Sequence, residues 1–180
     1  MQKKDCMVSV VIPNYNGMQY IERCLESLKR QRFQEFETIF VDNGSEDGSV
    51  AYVRERFPWV RLICLAENTG FCGAVNVGIR ESRGEYVVLL NNDTEIINED
   101  CLEELLGYCT RSDVGAVGAR LYYEDDTIQH AGVVIGFGGI AGHCFVQQKR
   151  GFPGYCHRII CAQDYSAVTA ACMMVKREAY

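Results

Sequence analysis

The chain has 180 residues, 48% hydrophobic and 23% charged, with 18 Lys and Arg against 24 Asp and Glu, giving a formal net charge of −6. That is the composition of one soluble globular domain with a sizeable core, and it excludes collagen-like, disordered and low-complexity chains. The longest basic cluster is Lys29-Arg30-Gln31-Arg32, so no nucleic-acid partner is expected.

No apolar run reaches the roughly 18 residues of a membrane-spanning helix; the longest are Ala170–Val175 and the glycine-interrupted Ala131–Gly142. Met1–Asp5 carries two lysines, but Pro13-Asn14-Tyr15-Asn16 soon breaks the apolar run behind it, so no export signal is read. Peripheral association with a membrane is compatible with this. The ten cysteines (6, 24, 64, 72, 101, 109, 144, 156, 161 and 172) form no CxxC pair. They are read as reduced thiols of a cytoplasmic protein, several of them filling core positions. Cys144, Cys156 and Cys161 with His143 and His157 are potential metal ligands at irregular spacing, and no metal is expected there.

The first two-thirds alternates strands and helices. Met7–Ile12 is a buried, β-branched strand ended by Pro13, and Tyr20–Gln31 a helix with Ile21, Cys24, Leu25 and Leu28 in register. Glu37–Val41 is the second strand. Ser49–Phe57 is a helix stopped by Pro58, and Val60–Leu65 the third strand. Phe71–Ser82 is a helix with Gly84 expected as its C-cap, Tyr86–Leu90 a fourth strand, and Asn98 the expected cap of a helix through Cys109. Beyond these, Val114–Tyr123 and Ile128–Ile135 read as strands about a Glu124-Asp125-Asp126-Thr127 turn. A glycine-rich stretch (Gly136–Gly142), an irregular segment (Gln147–Gln163), a strand (Ala167–Val175) and a first helical turn (Lys176–Tyr180) follow.

Such alternation implies βαβ units and a mostly parallel sheet, which holds ligands beyond the carboxyl ends of its strands. Four polar loops fall there: Pro13–Gly17, Asp42–Gly48, Ala66–Gly73 and Asn91–Glu95. Asp93, in Asn91-Asn92-Asp93, suits Mg²⁺ or Mn²⁺, which take carboxylates together with substrate phosphates. The plainer alternative is turn chemistry. Asp42 can accept from a ribose hydroxyl or a base N–H, and Tyr15 can stack on a base; the alternatives are a turn and a surface tyrosine. Asn68-Thr69-Gly70-Phe71-Cys72-Gly73 opens a helix but matches neither GxGxxG nor a P-loop. His130, in Gln129-His130-Ala131-Gly132, reads as structural.

Together these segments resemble the family 2 glycosyltransferases, whose fold is called GT-A. The resemblance is carried by Val10-Val11-Ile12-Pro13-Asn14-Tyr15-Asn16-Gly17, Val41-Asp42-Asn43-Gly44-Ser45-Glu46-Asp47-Gly48-Ser49, Asn68-Thr69-Gly70-Phe71 through Asn76-Val77-Gly78-Ile79, and Leu90-Asn91-Asn92-Asp93-Thr94, in matching order and spacing. Gln129-His130-Ala131-Gly132 and Ala167-Val168-Thr169-Ala170-Ala171-Cys172 resemble the branch of rhamnosyltransferases and related polysaccharide-assembly enzymes.

The resemblance implies one GT-A domain over 1–180, with a donor half at 1–112 and the start of an acceptor half at 113–180. The implied activity is inverting transfer of a sugar from a UDP- or dTDP-sugar to a hydroxyl on a saccharide or lipid-linked saccharide, at the inner face of a membrane. The implied donor site comprises Pro13, Tyr15, Asn16, Asp42, Asn43, Gly44, Ser45, Asn68, Gly70, Asn76, Asn91, Asn92 and Asp93. Asp42 would bond the pyrimidine N3–H without being needed for the fold, and Asp93 would be the sole charged ligand of Mg²⁺ or Mn²⁺. The acceptor's general base is expected beyond Tyr180, in preference to Asp125, Asp126 or Asp164, as if the domain were C-terminally truncated. Two other readings stay open: a nucleotide-sugar-binding fragment without turnover, and a different nucleotide-binding α/β enzyme.

Overall fold

The computed structural model describes residues 6–136 and 139–180; Met1–Asp5 and the Phe137-Gly138 part of the glycine-rich stretch lie outside the described residues. Strands and helices alternate as β1 Val8–Asn14, α1 Met18–Lys29, β2 Phe36–Asp42, α2 Ser49–Arg56, β3 Arg61–Cys64, α3 Gly70–Glu81, β4 Tyr86–Leu90 and α4 Cys101–Cys109. Short strands follow: β5 Ala116–Gly118, β6 Leu121–Tyr122, β7 Ile128–His130, β8 Val133–Ile135, β9 Ala141–His143 and β10 Cys172–Lys176.

Two compact units are formed, one by the chain up to Val117 together with Ala170–Tyr180, the other by Gly118–Thr169. The first holds a sheet of order β3-β2-β1-β4-β10-β5. β1 lies parallel to β2 and β4, β2 parallel to β3, and β10 antiparallel to β4, so the sheet is mixed but mostly parallel. Strands in a sheet covered on both faces read as continuous apolar runs, and Val8, Val10, Val11 and Ile12 of β1 are all fully buried. On one face Val11, Ile39, Val41, Val87 and Leu89 pack with Ala74, Val75 and Ile79 of α3. Alternate residues such as Val10, Ile12, Phe40 and Val88 point the other way and are equally buried. Ile21, Cys24, Leu25 and Leu28 are the buried stripe of α1, at the spacing expected of a helix with one apolar face.

Several expected boundaries move. The helix α3 ends at Glu81 with Ser82 as its C-cap. Gly84 instead lies against β1, where a Cβ would meet the backbone of Met7, Val8 and Ser9. The N-cap of α4 is Asp100, while Asn98 contributes only its carbonyl, which accepts from Cys101 N–H at 3.3 Å. The strand expected over Ala167–Val175 starts at Cys172, because Ala170 and Ala171 form a turn whose Ala171 carbonyl accepts from Asn91 N–H at 2.9 Å. The expected helical start at Lys176–Tyr180 is a short 3₁₀ turn, Arg177–Ala179.

In the second unit β6 pairs with β7 and β8 with β9, over a small core of Ile128, Ala131 and Ile159 flanked by Tyr122 and Phe145. The single strand expected at Val114–Tyr123 is two, since β5 joins the main sheet whereas β6 pairs with β7. The strand expected at Ile128–Ile135 also breaks in two, at Gly132. There the backbone takes φ +97°, a left-handed value that only glycine adopts readily. His130 is 1% exposed. Its Nε2 accepts from Gly132 N–H at 3.3 Å, so Nδ1 carries the proton and faces His143 Nδ1 at 2.9 Å. Burial, and then the neighbouring His143, push the His130 pKa down to about 4.

Candidate functional site

The carboxyl ends of β1, β2 and β4 deliver three polar turns to one edge of the first unit, and the segment after β3 joins them. At their centre is Asn14, the last residue of β1 and 2% exposed. Its Nδ2 lies 2.9 Å from Asp42 Oδ1, 3.1 Å from Ser45 Oγ and 3.1 Å from Ser49 Oγ, and its Oδ1 accepts from Asn92 Nδ2 at 2.6 Å. Its carbonyl accepts from Asn43 N–H at 2.8 Å.

Asp42 ends β2 and is 2% exposed. Besides Asn14 it accepts from Ser45 N–H, through Oδ2 at 3.0 Å. Asn43, equally buried, turns the other way. Its Nδ2 donates to Asn68 Oδ1 at 2.9 Å and to the Gly70 carbonyl at 3.1 Å, while its Oδ1 accepts from Thr69 N–H at 2.9 Å and Thr69 Oγ1 at 3.0 Å. The Asn68–Gly70 loop is thereby fastened to the end of β2. Gly44 lies over the backbone of Glu67, which a Cβ would approach to 3.0 Å.

Asn16 holds the β1 turn to the β2 turn. Its N–H donates to Ser45 Oγ at 2.9 Å, and its Oδ1 accepts from Glu46 N–H at 2.9 Å. It does so at φ +50°, a conformation asparagine tolerates better than most residues. Asp47 accepts from Met18 N–H at 2.8 Å, supplying the start of α1 with a cap its own sequence lacks, and from Ser49 N–H at 3.0 Å and the Ser49 hydroxyl. Burial works to raise the Asp47 pKa, but the Ser49 hydroxyl and the Met18 and Ser49 amides outweigh it and hold this carboxyl below its usual range.

The β4 turn is anchored underneath and open above. Asn91 N–H donates to the Ala171 carbonyl at 2.9 Å, Cys24 Sγ faces the Asn91 carbonyl at 3.7 Å, and Asn91 Oδ1 is buried with no hydrogen-bond partner. Asp93 is exposed. Its charge reaches the buried Cys24, whose pKa is pushed up to about 12, by burial first and by Asp93 second. Gly17 sits so close to this turn that a Cβ would overlap Asn92 Nδ2 and Asn14 Oδ1.

Of the expected site residues, Asn16, Asp42, Asn43, Ser45, Asn68, Gly70 and Asn92 are therefore joined by hydrogen bonds, directly or through Asn14. Pro13 is paired with Val41 at the end of β1, and Tyr15 is 52% exposed at the rim. Asn76 stands apart, exposed on the second turn of α3. Asn14, Asp47, Ser49 and Thr69 are participants that residue type alone did not bring forward. The signal for Asn14 was its place between Pro13 and Tyr15, at the very tip of a buried strand. Among the described residues no group of three or more His, Cys, Asp or Glu is arranged to hold a metal ion, and no helix is long and apolar enough to cross a membrane. All ten cysteines are free.

Polar turns gathered at the carboxyl ends of parallel strands mark where α/β folds of this kind hold their ligands, and the unit has the fold of the GT-A glycosyltransferases. A sequence model of the family described as "Glycosyl transferase family 2" matches residues 9–180, and the chain belongs to that family.

Among relatives, the protein y4gI of Sinorhizobium fredii is 40% identical over 97% of this chain, which spans 20% of that protein. The O-antigen biosynthesis protein RfbC of Myxococcus xanthus is 32% identical over 96% of this chain, which spans 14% of it. Among solved structures, the mannosyltransferase PcManGT of Pyrobaculum calidifontis, in complex with GDP-Man and Mn²⁺, is similar with a TM-score of 0.59 and 29% identity, covering 66% of this chain and 36% of its own. The UDP complex of Staphylococcus aureus TarS shares the fold with a TM-score of 0.61 at 24% identity, covering 69% of this chain and 38% of its own.

Proposed function

We propose that the chain binds a nucleoside-diphosphate sugar of the UDP or dTDP type across the four turns and serves transfer of the sugar, with inversion, to a hydroxyl of a saccharide or lipid-linked saccharide in polysaccharide assembly. The observation that carries this reading is the fastening of the β1, β2, β3 and β4 turns to one another through Asn14 and Asn43. Such a network keeps groups for a base, a diphosphate and a cation close together and limits how far the turns can part, which lowers the ordering cost of binding. Tyr15 at the rim offers a face for the base. Asp42 can accept a base N–H with the lone pairs that Asn14 and Ser45 leave over, since a carboxylate has about four acceptor positions. Asn68 and Gly70, and further along α3 Asn76, are assigned to the diphosphate and sugar on the family likeness alone.

The residues present suit a hard divalent cation in a restricted way. Asp93 offers one exposed carboxylate, and Asn91 Oδ1 is a buried oxygen without a donor. Mg²⁺ and Mn²⁺ are commonly held by one or two carboxylates plus substrate phosphates, so Asp93 with the donor's diphosphate would hold such an ion. When bound, the ion offsets charge on the leaving diphosphate. The combination of GDP-Man and Mn²⁺ in the Pyrobaculum mannosyltransferase supports this pairing.

Neither Asp125 nor Asp126 is proposed as the acceptor's base. Asp125 Oδ1 accepts from Thr127 N–H at 3.0 Å and Thr127 Oγ1 at 2.6 Å, and Asp126 pairs with Arg150 at 3.0 Å. The Thr127 bonds lower the Asp125 pKa, which makes it a poorer base. The same observation favours a second reading, donor binding without turnover by these residues alone.

A thermal-shift panel of UDP-, dTDP- and GDP-sugars with and without Mn²⁺ tests the proposal. A ligand at a hundred times its Kd stabilises the native state by about 2.7 kcal/mol. Stabilisation by a UDP- or dTDP-sugar, larger with Mn²⁺, is expected. Stabilisation by none of them would overturn the reading.

A further inference from the structure

The Asn14 network has a direction, and it begins at Asp42. A carboxylate only accepts hydrogen bonds, so the Asn14 group facing Asp42 Oδ1 at 2.9 Å has to be the amino group. That choice turns Asn14 Oδ1 toward the β4 turn. The Asn92 group that meets it at 2.6 Å must then be an amino group as well, which leaves Asn92 Oδ1 open to a ligand beside Asn91 Oδ1 and Asp93 of the same turn. The neighbouring seryl groups agree with this orientation. The Ser49 hydroxyl donates to Asp47, so it can only accept from Asn14.

Asn14 is 2% exposed, and a Cβ at Gly17 would overlap the very atoms that make the Asn14–Asn92 bond. The bond is therefore confined on both sides. Through this bond and the one to Asp42, Asn14 joins segments that are 78 and 28 residues away in the chain, one carrying Asp93 and the other Asp42.

We propose that Asn14 is a positioning residue that couples the base side of the donor site to its cation side, so that nucleotide and divalent cation each strengthen the binding of the other through the Asn14–Asn92 bond. This rests on the donor-site reading above. A shared, oriented bond is the kind of link that makes two ligands cooperative, because whichever binds first fixes part of what the second needs fixed. Asn14 itself need touch neither ligand.

The test is calorimetric titration with UDP and, in parallel, dTDP and GDP, with and without saturating Mn²⁺. It gives for each variant the ratio of the metal-free to the metal-saturated Kd. In the wild-type chain that ratio should be above one. A net hydrogen bond is worth about 0.5–1.5 kcal/mol, so Asn14→Ala and Asn92→Ala should each lower the ratio by about three- to tenfold. The double variant should lower it no further, because one bond is lost in all three.

Asn92 is only half-buried, so Asn92→Ala keeps the test open if Asn14→Ala does not fold. Gly17→Ala, whose methyl displaces the Asn92 amide without removing it, should match its loss. Ratios unchanged in the single variants, or losses that multiply in the double, would overturn the coupling. A wild-type chain that binds nucleotide with a ratio of one would overturn it too, while leaving the donor reading intact. A wild-type chain that binds none of the three nucleotides would overturn both.

Discussion

Replacing Asp42 by alanine removes the acceptor of a buried donor and of a part-buried one at once. Oδ1 serves Asn14 Nδ2 at 2.9 Å and Oδ2 serves Ser45 N–H at 3.0 Å, with Asp42 itself 2% exposed. Hydrogen bonds to a charged group contribute about 1.5–3 kcal/mol each. Asn14 keeps the two serine hydroxyls as acceptors and Ser45 N–H is only part-buried, so the low end applies to both bonds, and the variant should lose about 3 kcal/mol. For a urea dependence of about 2 kcal/mol per molar, that loss moves the unfolding midpoint down by about 1.5 M.

Trp59 is the chain's single tryptophan and lies in the first unit, so its fluorescence reports unfolding of the unit that contains the network. Asp42→Asn, which retains an acceptor oxygen, should fall between the two. A midpoint for Asp42→Ala within about 0.3 M of wild type, a shift of well under 1 kcal/mol by the same slope, would refute the reasoning. It would return Asp42 to the simpler part of a base-reading side chain with no role in the fold.

Asp93→Ala should abolish the Mn²⁺-dependent part of nucleotide-diphosphate affinity, while bare nucleoside binds as before; calorimetry on both ligands checks this. Gly17→Ala should lower the melting temperature by an amount corresponding to about 1–3 kcal/mol, as expected of an overpacked site, and calorimetric scanning measures it. The His130 pKa is depressed to about 4 in the folded chain. Its neutral form therefore contributes stability that is complete above about pH 6.5 and is lost as pH falls from there through 4. Over that window a His130→Asn variant should show a shallower loss of stability with pH than wild type, by up to one proton's worth, and melting curves from pH 7 to 4 resolve the difference. Denatured, unreduced protein should titrate for all ten thiols; a stable pair would contradict the free cysteines.

The strands and helices up to Cys109 were legible because each carries its own periodicity. Val10-Val11-Ile12 and Tyr86–Leu90 are apolar without interruption, and α1 repeats its buried residues at helical spacing. The second unit was not, because its strands are two or three residues long. Runs that short carry no period, and they are cut by single backbone events such as φ +97° at Gly132.

The candidate site was legible as a set of loops, since polar residues at the ends of buried strands stand out. Its wiring was not. Asn14 and Asn92 are 78 residues apart, and only the parallel pairing of β1 with β4 brings them together. The burial of Asp42 was hidden for the same reason. An aspartate after a strand looks like an exposed turn residue until the partner turns are in place around it.

The central claim is that one nucleotide-sugar site is built from the four turns of the first unit. Hydrogen–deuterium exchange of the chain, read by mass spectrometry with and without UDP and Mn²⁺, tests it most directly. Slowed exchange is expected in residues 13–18, 42–49, 66–73 and 91–95, with the rest of the chain little changed. Nucleotide binding that left those segments unprotected, or that protected residues 118–169 instead, would contradict it.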